Sequence, residues 1–257
     1  TEACAQDFAL VGGGAVFDED PNGVRVACGL PNIAGYVVSE TARAADLQVQ
    51  PLVNPVGQIS FGIHQEIAEQ RPELVDGFGV LTSSFGSVLN VRDDTITAAE
   101  ASGFTVVYSE EYAPQGESNW RPFVEAMRDS GVKVFQLVGE PTFMGQIIEA
   151  MDATGWFPEM IILTSNFYDR TFQETVGGIA PEIRVQLQFT PLELADENPA
   201  TADYLELMER YNPDGKVALL GMQAMSSFLL FAQSAAACGS DLTRECLLEQ
   251  ATSVTEW

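Results

Sequence analysis

The period of the apolar positions changes several times along the chain, and each change marks an element. Phe8, Ala9, Leu10 and Val11 form a short apolar run closed by Gly12-Gly13-Gly14, which predicts a first strand. Residues 18–23 predict a turn. Residues 24–27 and 30–33 read as short extended pieces around Cys28-Gly29, and 47–53 as another strand or a crossover ended by Asn54-Pro55. The period then becomes helical: Ile59, Ile63 and Ile67 lie four apart, and Arg71-Pro72 ends that run. From there strand and helix alternate. Strands are predicted at 77–81, 104–108, 132–138, 160–163 and 183–189. Helices are predicted at 88–102, 119–130 and 144–153, with stops at Gly103, Gly131 and Gly155. The tail is helical: 198–211, then the turn 212–215, a long apolar helix over 217–237, and a last helix over 244–251 with Ser240, Asp241 and Thr243 as candidate caps.

Alternation of this kind predicts an α/β fold with a parallel sheet covered by helices on both faces. Runs such as Met160-Ile161-Ile162-Leu163 suit strands buried on both sides. A length of 257 residues allows one large domain or two of ordinary size. No apolar run approaches the roughly 18 residues that span a bilayer. The longest, 224–237, is interrupted by Ser226, Ser227, Gln233 and Ser234 and reads as a buried helix.

Charge narrows the function. With 37 acidic against 12 basic residues, the net charge of −25 argues against nucleic acid, which needs a basic footprint. Anionic membranes and nucleotides are disfavoured for the same reason. Four cysteines allow three connectivities; the local pairs Cys4–Cys28 and Cys238–Cys246 are the simplest, with free buried thiols as the alternative. Disulfides imply an oxidising compartment. Neither pair has zinc spacing, so no metal is expected.

Motifs for catalysis are weak. Gly12-Gly13-Gly14 fails the dinucleotide pattern at the third glycine, where Phe17 stands, and the acidic turn residues leave no room for a crossover helix. His64, the single histidine, flanks an amphipathic helix and reads as a surface or satisfied residue. Asp93-Asp94 and Glu110-Glu111 are adjacent, so their side chains diverge, and no serine sits in a nucleophile elbow. What remains is a set of polar and aromatic loops at strand ends: 82–85, 139–143 and 164–168. In a parallel sheet these emerge on one edge and offer hydroxyls, an amide, a carboxylate and aromatic faces, which suits a small polar molecule with an apolar part.

In their order and spacing these pieces resemble the type I periplasmic solute-binding proteins of the branched-chain amino acid ABC transporter family. The resemblance is carried by Gly12-Gly13-Gly14-Ala15, Gly29-Leu30-Pro31-Asn32-Ile33, Val80 through Gly86, 134–145, 161–168 and Cys238 through Cys246. It implies two Rossmann-like lobes joined by three crossovers and closing on a ligand in the interlobe cleft. Residues 1–50 with 191–257 would form a partial first lobe and 51–190 the second, with about half of the first lobe's sheet preceding Thr1 and the last crossover following Trp257. Ligand contacts are expected from Gly13, Gly14, Ala15, Val16, Tyr36 and Val38 in the first lobe. Ser84, Phe85, Glu140, Pro141, Asn166 and Tyr168 are expected to contribute from the second. Val16 and Val38 stand where family members that hold amino acids carry serine and threonine. Asn166 stands where they carry an acid, with Glu140 nearby. A free zwitterion would leave uncompensated charge in such a pocket, so an amide, an aromatic or a short carboxylic acid is the expected ligand. The implied protein is not an enzyme and has no cofactor. Its partner is a membrane permease, and it lies outside the cytoplasm, in the periplasm or anchored by lipid at the cell surface. A sensor ectodomain of the same fold is the alternative; an α/β enzyme would need a nucleophile–base pair that the sequence lacks.

Overall fold

The computed structural model describes residues 2–255 apart from 177, 180 and 181. The chain divides into two units: 1–58, 189–215 and 220–257 in the first, 59–188 and 216–219 in the second.

The first unit opens with α1 (Glu2–Gln6), β1 (Leu10–Val11), α2 (Glu19–Ala27), β2 (Asn32–Ile33), α3 (Glu40–Arg43) and β3 (Gln48–Val49). The strands pair in parallel in the order β1-β2-β3. Helix α2 corrects the sequence reading, which predicts a turn at 18–23 and an extended piece at 24–27. The segment contains Pro21, but a proline in the first helical turn gives up an N–H that has no intrahelical partner anyway. Arg25 then fixes the helix from its buried side. Its Nη1 donates to the carbonyls of Leu30 at 3.0 Å and Leu47 at 2.9 Å, and its Nη2 to that of Asp46 at 2.9 Å. Because α2 is a crossover helix, the lack of room for one is no argument against a dinucleotide site; the missing third glycine at Phe17 remains one.

The second unit is a complete doubly wound sheet. It contains α4 (Gly62–Gln70), β4 (Phe78–Ser83), α5 (Gly86–Ala101), β5 (Val106–Tyr112), α6 (Arg121–Asp129), β6 (Val134–Val138), α7 (Pro141–Thr154), β7 (Met160–Leu163), α8 (Arg170–Val176) and β8 (Glu182–Val185). All pairings are parallel, in the order β5-β4-β6-β7-β8. The three expected glycine stops take positive φ: 92° at Gly103, 77° at Gly131 and 65° at Gly155. Successive strand residues feed opposite faces. Leu81, Phe135, Leu137, Ile161 and Leu163 pack in one core with Val124 and Met127 of α6 and Ile147 and Met151 of α7. Phe78, Val80, Val134, Met160 and Ile162 pack in the other with Ile67 and Ala99. Burial on both faces is why these strands read as continuous apolar runs rather than alternating ones.

The chain then returns through α9 (Pro199–Tyr211), α10 (Leu219–Cys238) and α11 (Arg244–Thr252). The side chain of Asn198 caps α9 by accepting from the Thr201 amide at 3.0 Å, and Thr243 caps α11 by accepting from Cys246 N at 3.1 Å. Helix α10, extended to Asp241, is long and apolar enough by length and composition to cross a membrane, contrary to the reading that no run approaches a span. Nor is it a helix buried all round. Its buried face carries Gln223, Ser226, Ser227 and Ser234, whereas Phe228 and Leu229 are exposed. The small serine side chains allow close approach: Ser227 Oγ donates to the Ala34 carbonyl at 2.9 Å. Both local disulfides are formed, Cys4–Cys28 and Cys238–Cys246.

Candidate functional site

Strand order in the second unit creates a topological switch. From β4 the chain moves to β5 on one side, and from β6 to β7 on the other, so the loops after β4 and β6 part and leave a crevice at the carboxyl edge. Ser84 and Phe85 lie on one side of it, Gly139, Glu140 and Pro141 on the other. Ser84 is exposed and its amide donates to the Tyr112 carbonyl at 3.0 Å, which ties this loop to β5. Phe85 is half-buried, precedes the first turn of α5 and rests against the core formed by Val88 and Val138. Glu140 precedes α7, is exposed and makes no capping bond of its own, and Pro141 opens the helix. Two helix N-termini therefore flank the crevice and favour partial negative charge, while one carboxylate opposes it.

The loop after β7 joins the same edge. Asn166 Nδ2 donates to the Gly139 carbonyl at 2.9 Å, and its Oδ1 accepts from Thr164 Oγ1 at 2.5 Å. The amide is thus engaged by the protein itself and holds the two loops together. Tyr168 is buried, and Phe167 is a core residue. Phe143 packs on Tyr112 and Trp120 at centroid distances of 5.5 and 5.8 Å, so it too is a packing residue.

Tyr112 was missed by sequence reasoning. It ends β5, fully buried, beneath Gly139, where a Cβ would lie 1.9 Å from the phenolic oxygen. Only glycine lets the loop after β6 pass over that ring. Burial, then the charge of Glu140, pushes the Tyr112 phenol up to about 12. The Glu140 backbone and the nearby Ser83 hydroxyl, itself buried, oppose part of that rise.

In the first unit the structure brings Gly13, Gly14 and Tyr36 together. Gly35 N donates to Gly13 O at 2.8 Å, and the Tyr36 ring lies where a Cβ on Gly14 would stand, 2.2 Å from Cε1. Ala15 is exposed and Val16 half-buried on the same loop. Val38 is positioned by a residue the sequence reading assigned to a turn. Buried Asp18 accepts the amides of Val38 at 2.7 Å and Ser39 at 3.0 Å through its two oxygens. A surface depression of about 560 Å³ in this unit is lined by Gln48, Val49, Pro51, Leu230 and Ala251; none of the candidate residues lines it.

His64 is a core residue, 3% exposed, with its ring edge-on to Phe78 and its Nε2 donating to Gln136 Oε1 at 3.0 Å. Burial holds its pKa below the usual 6.5, against a smaller opposing effect of the Gln136 bond. The unfolded chain therefore takes up a proton that the native chain refuses. Stability is full above pH 6.5 and falls as pH drops from there toward the native pKa, by at most about 1.4 kcal/mol per pH unit. Denaturant unfolding at pH 7.5 and 5.5 should show this slope in the wild type and a flatter one in His64→Gln. Glu110 and Glu111 are exposed, as is Asp93. Among the described residues no group of three or more His, Cys, Asp or Glu could hold a metal ion.

A family model described as periplasmic binding protein matches residues 77–257, well over half of the chain. The chain belongs to the periplasmic binding protein family. No curated protein matches it. Solved structures that this periplasmic binding protein resembles are distant in sequence. A substrate-binding periplasmic protein from Ralstonia solanacearum has 16% identity and a TM-score of 0.75, covering 100% of this chain and 72% of that one. A leucine binding protein from Thermotoga maritima has 11% identity and a TM-score of 0.68, covering 90% and 63%. A solute binding protein of an ABC transporter from R. palustris, solved with 4-hydroxybenzoate, has 13% identity and a TM-score of 0.70, covering 93% and 64%. Such likenesses establish the α/β fold with helix-flanked parallel sheets. Family and fold neighbours are binding proteins rather than enzymes, and the family implies an extracytoplasmic location.

Proposed function

We propose that this periplasmic binding protein is the solute-binding component of an ABC-type importer and takes a small amphipathic molecule of low net charge: an amide, an aromatic, or a short carboxylic acid. The observation that carries this reading is the engagement of Asn166. Asparagine at this position offers no carboxylate for an ammonium group, and its amide is committed to Thr164 and Gly139. Glu140 is exposed and outside any capping bond, so its carboxylate is on that edge without a capping role. Phe85 supplies an aromatic face and the N-termini of α5 and α7 supply N–H donors for an oxygen. In the first unit Gly13, Gly14, Ala15, Val16, Tyr36 and Val38 offer backbone and apolar surface, with no hydroxyl but that of Tyr36. The leucine and 4-hydroxybenzoate named for two of the structural relatives bracket the choice, and the valines favour the second kind. The protein partner is a membrane permease.

A thermal-shift comparison of 4-hydroxybenzoate, benzamide and leucine tests this. A ligand at a hundredfold over its Kd adds about 2.7 kcal/mol of stability. The aromatic probes should shift the midpoint and leucine should not. Phe85→Ala should lose the shift. A leucine shift abolished by Phe85→Ala would overturn the ligand class.

A further inference from the structure

The segment between α9 and α10 belongs to the first unit up to 215 and from 220, yet 216–219 belong to the second. What holds these residues there is local. Ala218 forms an isolated antiparallel bridge with Asp169, and Leu219 N donates to the Tyr168 carbonyl at 3.2 Å. Asp169 is 1% exposed and makes two further contacts. Its Oδ1 accepts the Phe172 amide at 2.9 Å, which caps the start of α8. Its Oδ2 lies 2.9 Å from Lys216 Nζ, and among the described residues no other donor reaches that oxygen.

A carboxylate so buried is costly unless a cation accompanies it. The sequence holds two lysines, Lys133 and Lys216, and one stands here, 58% exposed at its side chain. Asp169 follows directly on Tyr168, and Asn166 is three positions before it. We infer that Asp169 is a positioning residue for the 166–168 loop and that its pair with Lys216 latches this loop to the crossover segment, so that loop and crossover are held as one body. The functional consequence rests on the proposal that the 166–168 loop contacts ligand.

Amide hydrogen exchange on the full chain tests the latch without needing a ligand. Lys216→Met should speed exchange by about tenfold at 166–172 and 216–219, leaving β4 and β6 amides unchanged. Lys216→Arg, which keeps the charge, should restore protection. Because the lysine is half-exposed, raising salt to about 1 M should speed exchange at the same amides in the wild type but not in Lys216→Met. A packing role alone would give no salt response. Unchanged exchange in Lys216→Met, or an equal rise across the whole second unit, overturns the latch. 4-Hydroxybenzoate, added to wild type, separates the two readings. Protection of 166–168 by the probe, weakened several-fold in Lys216→Met, supports both the latch and the ligand role. No protection, with the exchange and salt results intact, supports the latch and counts against the ligand role of the loop alone.

Discussion

Replacing Arg25 with methionine is expected to destabilise the first unit by about 3 kcal/mol. The side chain is 6% exposed and its guanidinium reaches three carbonyls on two separate segments, besides Asn22 Oδ1. Methionine preserves much of the apolar stem but leaves the buried Leu30 carbonyl without this donor. It also releases Leu47, which holds a φ of 56°, the one positive value outside glycine among the described residues. A side chain in that region costs roughly 1–3 kcal/mol and persists only where neighbours enforce it. Arg25→Lys should recover little, because an ammonium cannot reproduce the planar fork. Two units with separate cores need not unfold together. Trp120 and Trp156 lie in the second, so in a Trp257→Phe background fluorescence reports that unit while far-UV circular dichroism reports both. Loss of the circular dichroism transition at lower denaturant, with the fluorescence midpoint held, is the expected result. Coincident shifts of both would show that Arg25 supports more than its own unit.

Removing the Cys4–Cys28 disulfide by a double serine substitution is expected to cost about 3.5 kcal/mol, and removing Cys238–Cys246 about 2.5, from the loops they close. The separations are 24 and 8 residues, so the order of the two effects follows from denatured-chain entropy. Thermal melts of the two double variants check the order. In the wild type, reductant should lower the midpoint by more than it lowers that of either double variant. The first bridge holds α1 to the end of α2. Arg244 from α11 strengthens the same corner by donating to the carbonyls of Phe8 at 3.0 Å and Asp7 at 2.6 Å.

The candidate site was partly legible. That the loops after β4, β6 and β7 share an edge follows from strand–helix alternation alone, since a parallel sheet places all carboxyl ends together. Nothing local predicted that Asn166 would bond back to Gly139, because its partner lies 27 positions away. Asp18 was legible only as a turn former, since the two donors to its carboxylate, the amides of Val38 and Ser39, are 20 and 21 positions distant. Tyr112 gave no signal at the end of a strand rich in exposed acids. Its place under Gly139 arises from the register of β5 and β6 on either side of β4.

What the sequence determined by itself is most of the second unit: its strands, the helices α4 to α7 and the glycine stops, though not α8, which the sequence reading left out. There the elements are long enough for their periods to show, and both sheet faces demand apolar side chains. The first unit's strands have two residues each, too few to carry a period. Its helix α2 is held by an arginine whose carbonyl partners lie up to 22 positions away. The exposed and buried faces of α10 were likewise decided by tertiary contact, because a serine that donates to a distant carbonyl can be buried as readily as a phenylalanine. Side-chain period records which way a residue faces only where apolar burial is the sole force; where hydrogen bonds across the fold share that task, the tertiary structure alone settles it.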